Sequence, residues 1–285
     1  MSNKYELTNE TINYFGRTLY RIRAVSKFGD VAEGTLGGYV EKESNLSQDG
    51  EAWVSGNARV SDNARVYGKA RVYGKAWVSD DAWVSDGAMV CGNAWVCGNA
   101  RVYGNAWVYG NAWVSDNARV YDNAWVSDDA RISDNAWVYG NAWVSDNAWV
   151  YGNAWVSDDA RVYGNARVYG NARVYDNARV YDNARVSDDA WVYDKARVSD
   201  NAWVSDDARV YGGTTQQQPL FISGLPWPIT ILDNHAQVGC QIRTFAQWER
   251  TTDATIRKMD DSGPAFRRGF AAHILGLARA AGRKW

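Results

Sequence analysis

Between Ala52 and Ala208 an apolar residue returns at every sixth position, 27 times without a gap, and it is always alanine. Two positions after each alanine stands a second apolar residue, valine in every unit but one, where Ile132 takes its place. Trp or Arg (once Met89) lies between them; Tyr, Ser or, at 91 and 97, Cys follows; then come Gly or Asp and, most often, Asn. A helix of 3.6 residues per turn would scatter the two apolar positions round its circumference, so the period excludes helix. Positions one and three of a short strand face the same way, and the residue between them faces the other. The sixth position is Asn in 17 units and otherwise Asp, Lys or Gly. Asn, Asp and Gly tolerate left-handed backbone angles, so each hexad predicts one short strand and one corner.

A single hexad cannot stand alone. Burying one Val and one Ala returns roughly 2–4 kcal/mol, whereas ordering six residues costs about 1–2 kcal/mol each. The units must therefore stack and pair their backbones with neighbours, as solenoids do. On these 27 in-register units the chain resembles the hexapeptide-repeat family of left-handed parallel β-helices, over residues 52–212. The resemblance implies an all-β solenoid with three hexads, 18 residues, per triangular coil and about nine to ten coils. Nine coils at a strand spacing of about 4.8 Å give a rod on the order of 43 Å long.

The flanks set the expected domain limits. Residues 1–35 form a small N-terminal β cap, with TLYRIRAV as a strand that covers a sticky sheet edge. Residues 36–212 form the β-helix, beginning with a degenerate coil (LGGYVEKESNLSQDGE) that puts Val40 and Leu46 in the alanine column. Residues 213–285 form a C-terminal β/α cap. Its strands lie in WPITILDNHAQVGCQIRTF, and a helix opens at Ser262-Gly-Pro264 with Phe266, Phe270, Ile274, Leu277 and Ala281 as an apolar stripe. The segments KYELT, LYRIRA, FGDV and LGGYVEKE-NLS--G-AWV resemble hexapeptide-repeat proteins carried by phages and prophages.

If Ala and Val point inward, Trp/Arg and Ser/Tyr point outward, and residues 18 apart lie one above another. One face carries Trp107, Trp125 and Trp143, the next Trp77, Trp95 and Trp113, among longer columns of Trp and Arg. Stacked rings and guanidinium planes stabilise a thin core; the same residue types also dominate interface hot spots. Residues 76–159 hold ten Trp and, with eleven Asp against three Arg, a net charge of -8. Farther along, Arg161, Arg167, Arg173, Arg179 and Arg185 occupy five successive hexads and form an Arg/Tyr collar that would suit phosphates and bases. Ser is followed by Asp in 11 of 12 units, which suggests that Asp bonds its own turn.

Composition narrows the chemistry. The chain has 285 residues and a formal charge of -2, with 31 basic against 33 acidic residues, so a strongly basic nucleic-acid binder is not indicated. Two His and three Cys leave little for a metal site, and no cofactor is expected. Cys91 and Cys97 stand on adjacent faces, a triangle side apart, which disfavours a disulfide. The N-terminus lacks the apolar core of a secretory signal, and no run of 18 apolar residues predicts a membrane span.

Many members of the resembled family are acyltransferases that use a histidine near a coil edge and a loop that leaves the helix. The 27 hexads contain no histidine and no insertion. His235, in DNHAQVGC with Asp233 and Cys240, is the one cap candidate for a catalytic base. The basic C-terminal residues Arg267, Arg268, Arg279, Arg283 and Lys284 are expected to be solvated while the helix packs on the last coil or a sister subunit. The leading expectation is a non-enzymatic, cytoplasmic or virion-associated scaffold. Resemblance implies a homotrimer, and the outward ladders would engage a host or phage protein. The rivals are an acyltransferase using His235 and a single-stranded nucleic-acid binder at the collar.

Overall fold

The computed structural model describes residues 3–222, 229–239, 241–251 and 270–283. Every hexad forms a short strand, and strands 18 residues apart pair in parallel, giving a β-solenoid of about ten coils. The three faces are parallel sheets: the first runs from Trp53–Val54 up to Thr214–Thr215, the second contains Arg59–Val60 to Trp203–Val204, the third Arg65–Val66 to Arg209–Tyr211. Coil-to-coil hydrogen bonds such as Trp107 N–H to Ala124 O at 2.9 Å and Tyr109 N–H to Val126 O at 3.0 Å recur up each face. Every repeat valine, Ile132 and nearly every repeat alanine is wholly buried in one continuous core.

The corner chemistry differs from the expectation in two ways. The left-handed residue is the fifth of each hexad, not the sixth: all 27 fifth positions, fifteen Asp and twelve Gly, have positive φ, for example Asp128 at 57° and Gly110 at 71°. Placing the reversal there frees the Asn side chain. Asn99, Asn117, Asn135, Asn153 and Asn171 each donate an amide N–H to the residue 18 positions on, at 3.0–3.2 Å, and the line ends on Asp189. A carboxylate only accepts, so it closes the ladder. The Asp bond within its own corner also comes from a side chain and not from the turn's backbone. Its carboxylate accepts from the preceding Ser hydroxyl (Ser127 to Asp128, 2.8 Å) and from a backbone N–H of the next coil (Gly152 N–H to Asp134, 2.9 Å). Asp thus fastens one corner to the next, and a large side chain at position four would deny it the hydroxyl.

The first coil corrects a register. Val40 pairs with Val60 and Leu46 bridges Val66, so both stand in the valine column and not in the alanine column. Gln48 and Asp49 are two extra residues in the following corner, where Ser47 N–H meets Val66 O and Glu51 N–H returns to the regular spacing at Gly68 O. The insertion anchors the N-terminal cap. Gln48 Oε1 accepts from Lys4 N–H (2.9 Å) and Tyr5 N–H (3.3 Å), while its amide donates to Tyr5 O (3.2 Å). The Tyr5 hydroxyl reaches Glu43 O and Leu46 O, both at 2.8 Å. Strands β1 (Tyr5–Tyr14) and β2 (Arg17–Ala24) form an antiparallel hairpin that joins β3 (Leu36–Val40) and so covers the edge of the second face.

At the other end, Leu220–Ile222, Ile229–Ile231, His235–Val238 and Gln241–Thr244 make a four-stranded antiparallel sheet. Helices α1 (Phe245–Glu249) and α2 (Phe270–Ala280) pack on it, with Phe245, Trp248, Ile274, Leu275 and Ala278 in a second core. Ile274 and Leu277 of the stripe therefore pack within the cap, with Ile229, Ile231 and Trp248, and not on the last coil. Arg283 is buried, not solvated: it bonds Gln217 and the Gln218 carbonyl and lies 3.7 Å from Asp233. The predicted helix opening at Ser262 to Pro264, with Phe266, Arg267, Arg268, Cys240 and Lys284, lies outside the described residues. No helix among the described residues is long and apolar enough to cross a membrane.

Gln48→Ala should detach the hairpin strand without unwinding the rod, since each coil contacts only its neighbours. Losing three hydrogen bonds at a buried junction costs about 1–3 kcal/mol. Hydrogen exchange should accelerate over Tyr5–Tyr14 and remain unchanged around Trp107; acceleration throughout would contradict it.

Candidate functional surface

The second position of each strand points outward, and the coil rise decides how those side chains meet. On the second face Trp77, Trp95 and Trp113 form a continuous stack, with ring centroids 4.5 and 4.7 Å apart and planes inclined by 14° and 21°. Phe15, at the tip of the hairpin, extends the stack by lying parallel to Trp77 at 5.3 Å. Rings stacked along the rod use their faces on each other and present their edges to solvent. Each indole also leans onto the coil before it: Trp77 Nε1 donates to Ser61 Oγ (3.1 Å), Trp95 to Ser79 (3.3 Å) and Trp113 to Cys97 Sγ (3.3 Å). This diagonal contact covers Ser61 and Ser79, so serines expected to face outward are instead buried. Where the diagonal neighbour is Tyr, the contact becomes edge-to-face, as in Tyr109 and Trp125 at 6.4 Å.

On the first face Trp107 and Trp125 are parallel at 5.3 Å, while Trp143 turns by 60° against Trp125. These three are 36, 39 and 38% exposed and follow one another on successive coils. Trp53, at the base of the same column, is buried by the N-terminal segment against Tyr5 and Phe28. The strip therefore begins above the cap and ends where Arg161 lies 5.7 Å over Trp143.

The arginine collar is divided among the faces. Arg161 and Arg179 pair on the first, Arg167 and Arg185 on the second, and Arg173 stands on the third. Arg173 lies between Trp155 and Trp191, at 4.7 and 5.0 Å, and Arg167 covers Trp149 at 5.3 Å. Arg161, Arg167 and Arg173 thus lie over rings, and Asp158 and Asp176 stand at the corners before Arg161 and Arg179.

His235 is buried in the C-terminal cap. Its side chain is 5% exposed, its Nδ1 faces Asn234, and its ring packs against Gly213, where even a methyl group would overlap it. Asp233 accepts from Gln216 N–H (2.5 Å) and Thr215 Oγ1 (3.3 Å). Burial lowers the His235 pKa below its usual value, opposed by the Asp233 charge and a backbone contact at Gly212. Both described cysteines are free. Burial pushes the Cys97 thiol up to about 11, with the Trp113 N–H opposing. Among the described residues no group of His, Cys, Asp and Glu is arranged to hold a metal.

The profile described as YdcK Beta solenoid repeat matches residues 52–68, 58–74, 64–80, 94–110, 112–128, 130–146, 160–176, 166–181 and 178–194. The match supports the β-helix family that the repeat suggested. A comparison with curated proteins finds no match. Among solved structures, an Arabidopsis UDP-N-acetylglucosamine acyltransferase is 11% identical, covering 81% of this chain and 89% of its own, with a TM-score of 0.39. The Francisella novicida enzyme of the same name is 15% identical, covering 75% and 86%, with a TM-score of 0.25. That from Campylobacter jejuni is 14% identical, covering 76% and 90%, at 0.27. At these scores the likeness carries no argument about activity.

Trp95→Ala removes two ring contacts worth roughly 0.5–1.5 kcal/mol each and the bond to Ser79, so it should cost about 2–4 kcal/mol locally. Faster hydrogen exchange confined to the coils of Trp77 and Trp113 would record it. A second outcome concerns acid. A folded-state His pKa below the unfolded 6.5 means that stability is full above about pH 6.5 and declines as pH falls below it. The junction between Gly213 and the cap should loosen below that pH in the wild type, and His235→Gln should flatten the dependence; an equal acid response in both would refute the assignment.

Proposed function

We propose that this chain is a non-catalytic β-helical binding rod, phage- or prophage-encoded, that holds a host protein or a virion component. Its setting would be the host cytoplasm or the virion, and its resemblance to hexapeptide-repeat proteins supports a homotrimer. The observation that carries the reading is the strip Trp107, Trp125 and Trp143, exposed by more than a third on a smooth rod. Exposed aromatic strips rimmed by polar corners mark protein contact surfaces. Asp128, Asp129 and Asp146 rim this one, so a partner would bring apolar groups flanked by positive charge. The buried position of His235 and the absence of histidine from the hexads speak against acyl transfer.

The test replaces Trp107, Trp125 and Trp143 together by Arg, the residue the repeat uses elsewhere at this position, so that the coil persists. Wild type and variant are compared in affinity capture from host lysate, and acyl-CoA is titrated into the wild type by calorimetry. A protein retained by the wild type, absent from the variant and without acyl-CoA heat is the expected result. Equal retention by both, or saturable acyl-CoA binding, would overturn the proposal.

A further inference from the structure

The tryptophan stack of the second face is interrupted at Arg131. Up to that coil every indole donates to the small fourth-position residue of the coil below, namely Ser61, Ser79 and Cys97. Arg131 instead turns upward, its guanidinium 4.9 Å over Trp149. The upper face of Trp113 therefore has no ring or cation on it among the described residues, and no indole donates to Ser115 or Ser133. What remains is a groove of about 210 Å³ lined by Trp113, Ser115, Arg131, Ser133, Trp149 and Tyr151. The Trp155–Arg173–Trp191 groove on the third face is of similar volume, about 200 Å³, but there Arg173 lies over both rings.

We propose that the groove at Trp113 and Arg131 is a binding site for one neutral saccharide ring. An indole face with no ring or cation stacked on it takes the C–H face of a pyranose, which excludes water from both surfaces. Around it stand hydroxyl-matching groups: the Arg131 N–H donors, the Ser133 and Tyr151 hydroxyls, and Ser115 Oγ, whose proton goes to Asp116 at 2.8 Å, leaving its lone pairs to accept. The volume is below that of sites for drug-sized ligands, which suits a single ring. Arg131 is the one charged residue in the lining, and the Asp116 carboxylate beside Ser115 offsets it, which favours a neutral ligand over a phosphorylated or carboxylated one. The site lies on a different face from the Trp107, Trp125 and Trp143 strip and stands whether or not that strip binds a protein.

The repeat itself supplies blocking variants that keep the fold. Tyr is the commonest fourth-position residue, so Ser133→Tyr fills the groove; Trp alternates with Arg at the second, so Arg131→Trp continues the stack over Trp113. Saturation-transfer NMR is run with methyl β-glucoside, methyl β-galactoside, methyl α-mannoside and adenosine. Transfer to the ring protons of at least one glycoside by the wild type is expected, with affinity at least about tenfold weaker in both variants and unchanged in the Trp107/Trp125/Trp143 triple variant. Absence of transfer to all three glycosides, equal transfer in the blocking variants, or tighter binding of adenosine would overturn the proposal.

Discussion

Coil-to-coil backbone pairing at one fixed rise is the interaction on which this molecule depends. The interior of the repeats is filled by Ala and Val, with Ile132 the one exception among the hexads, which is too little apolar surface per unit to order a hexad in isolation. Pairing such as Trp107 N–H to Ala124 O holds each strand to the one 18 residues away. Once that spacing is set, every outward side chain inherits it. Two indoles in one column must meet at near-stacking distance, a guanidinium beside an indole must lie over its face, and two amides at a corner must fall within hydrogen-bond reach. Ring stacks, cation–ring contacts and Asn ladders are consequences of one repeat distance acting on different residues.

The surface follows the same logic. A stacked ladder consumes its ring faces internally and shows edges outside, so most of the tryptophan content serves cohesion between coils. The ladder is imperfect at the turned ring of Trp143 and above Trp113, where Arg131 lies on Trp149 instead, and these are the places where we propose recognition. Irregularity, not abundance, distinguishes the chemically available positions.

Much of this was legible in the residues. The six-residue period fixed the strand, the three columns and the inward Ala and Val, because strand alternation leaves few ways to bury them. The first coil was misread by one column, since Gln48 and Asp49 are inserted where the pattern is already degenerate and no periodic signal marks the slip. Positions five and six both use residues that accept left-handed angles, so composition alone could not decide which one turns. The burial of Ser61 and Ser79 beneath indoles and of Arg283 within the cap depends on contacts across coils and between elements, which no local window contains. His235 read as a candidate because its neighbours in sequence are suggestive; its ring is instead spent on filling the space beside Gly213.

The N-terminal hairpin and the C-terminal sheet flank the 27 units in the chain. One unit is a third of a circuit, so gain or loss of a single hexad would swing one end about 120° around the axis relative to the other. Three hexads gained or lost together would change only the length and preserve the azimuth. Whatever bridges both ends of such a rod therefore constrains its gene to expand and contract in steps of eighteen codons, while a ligand seated within one or two coils tolerates any whole number of hexads.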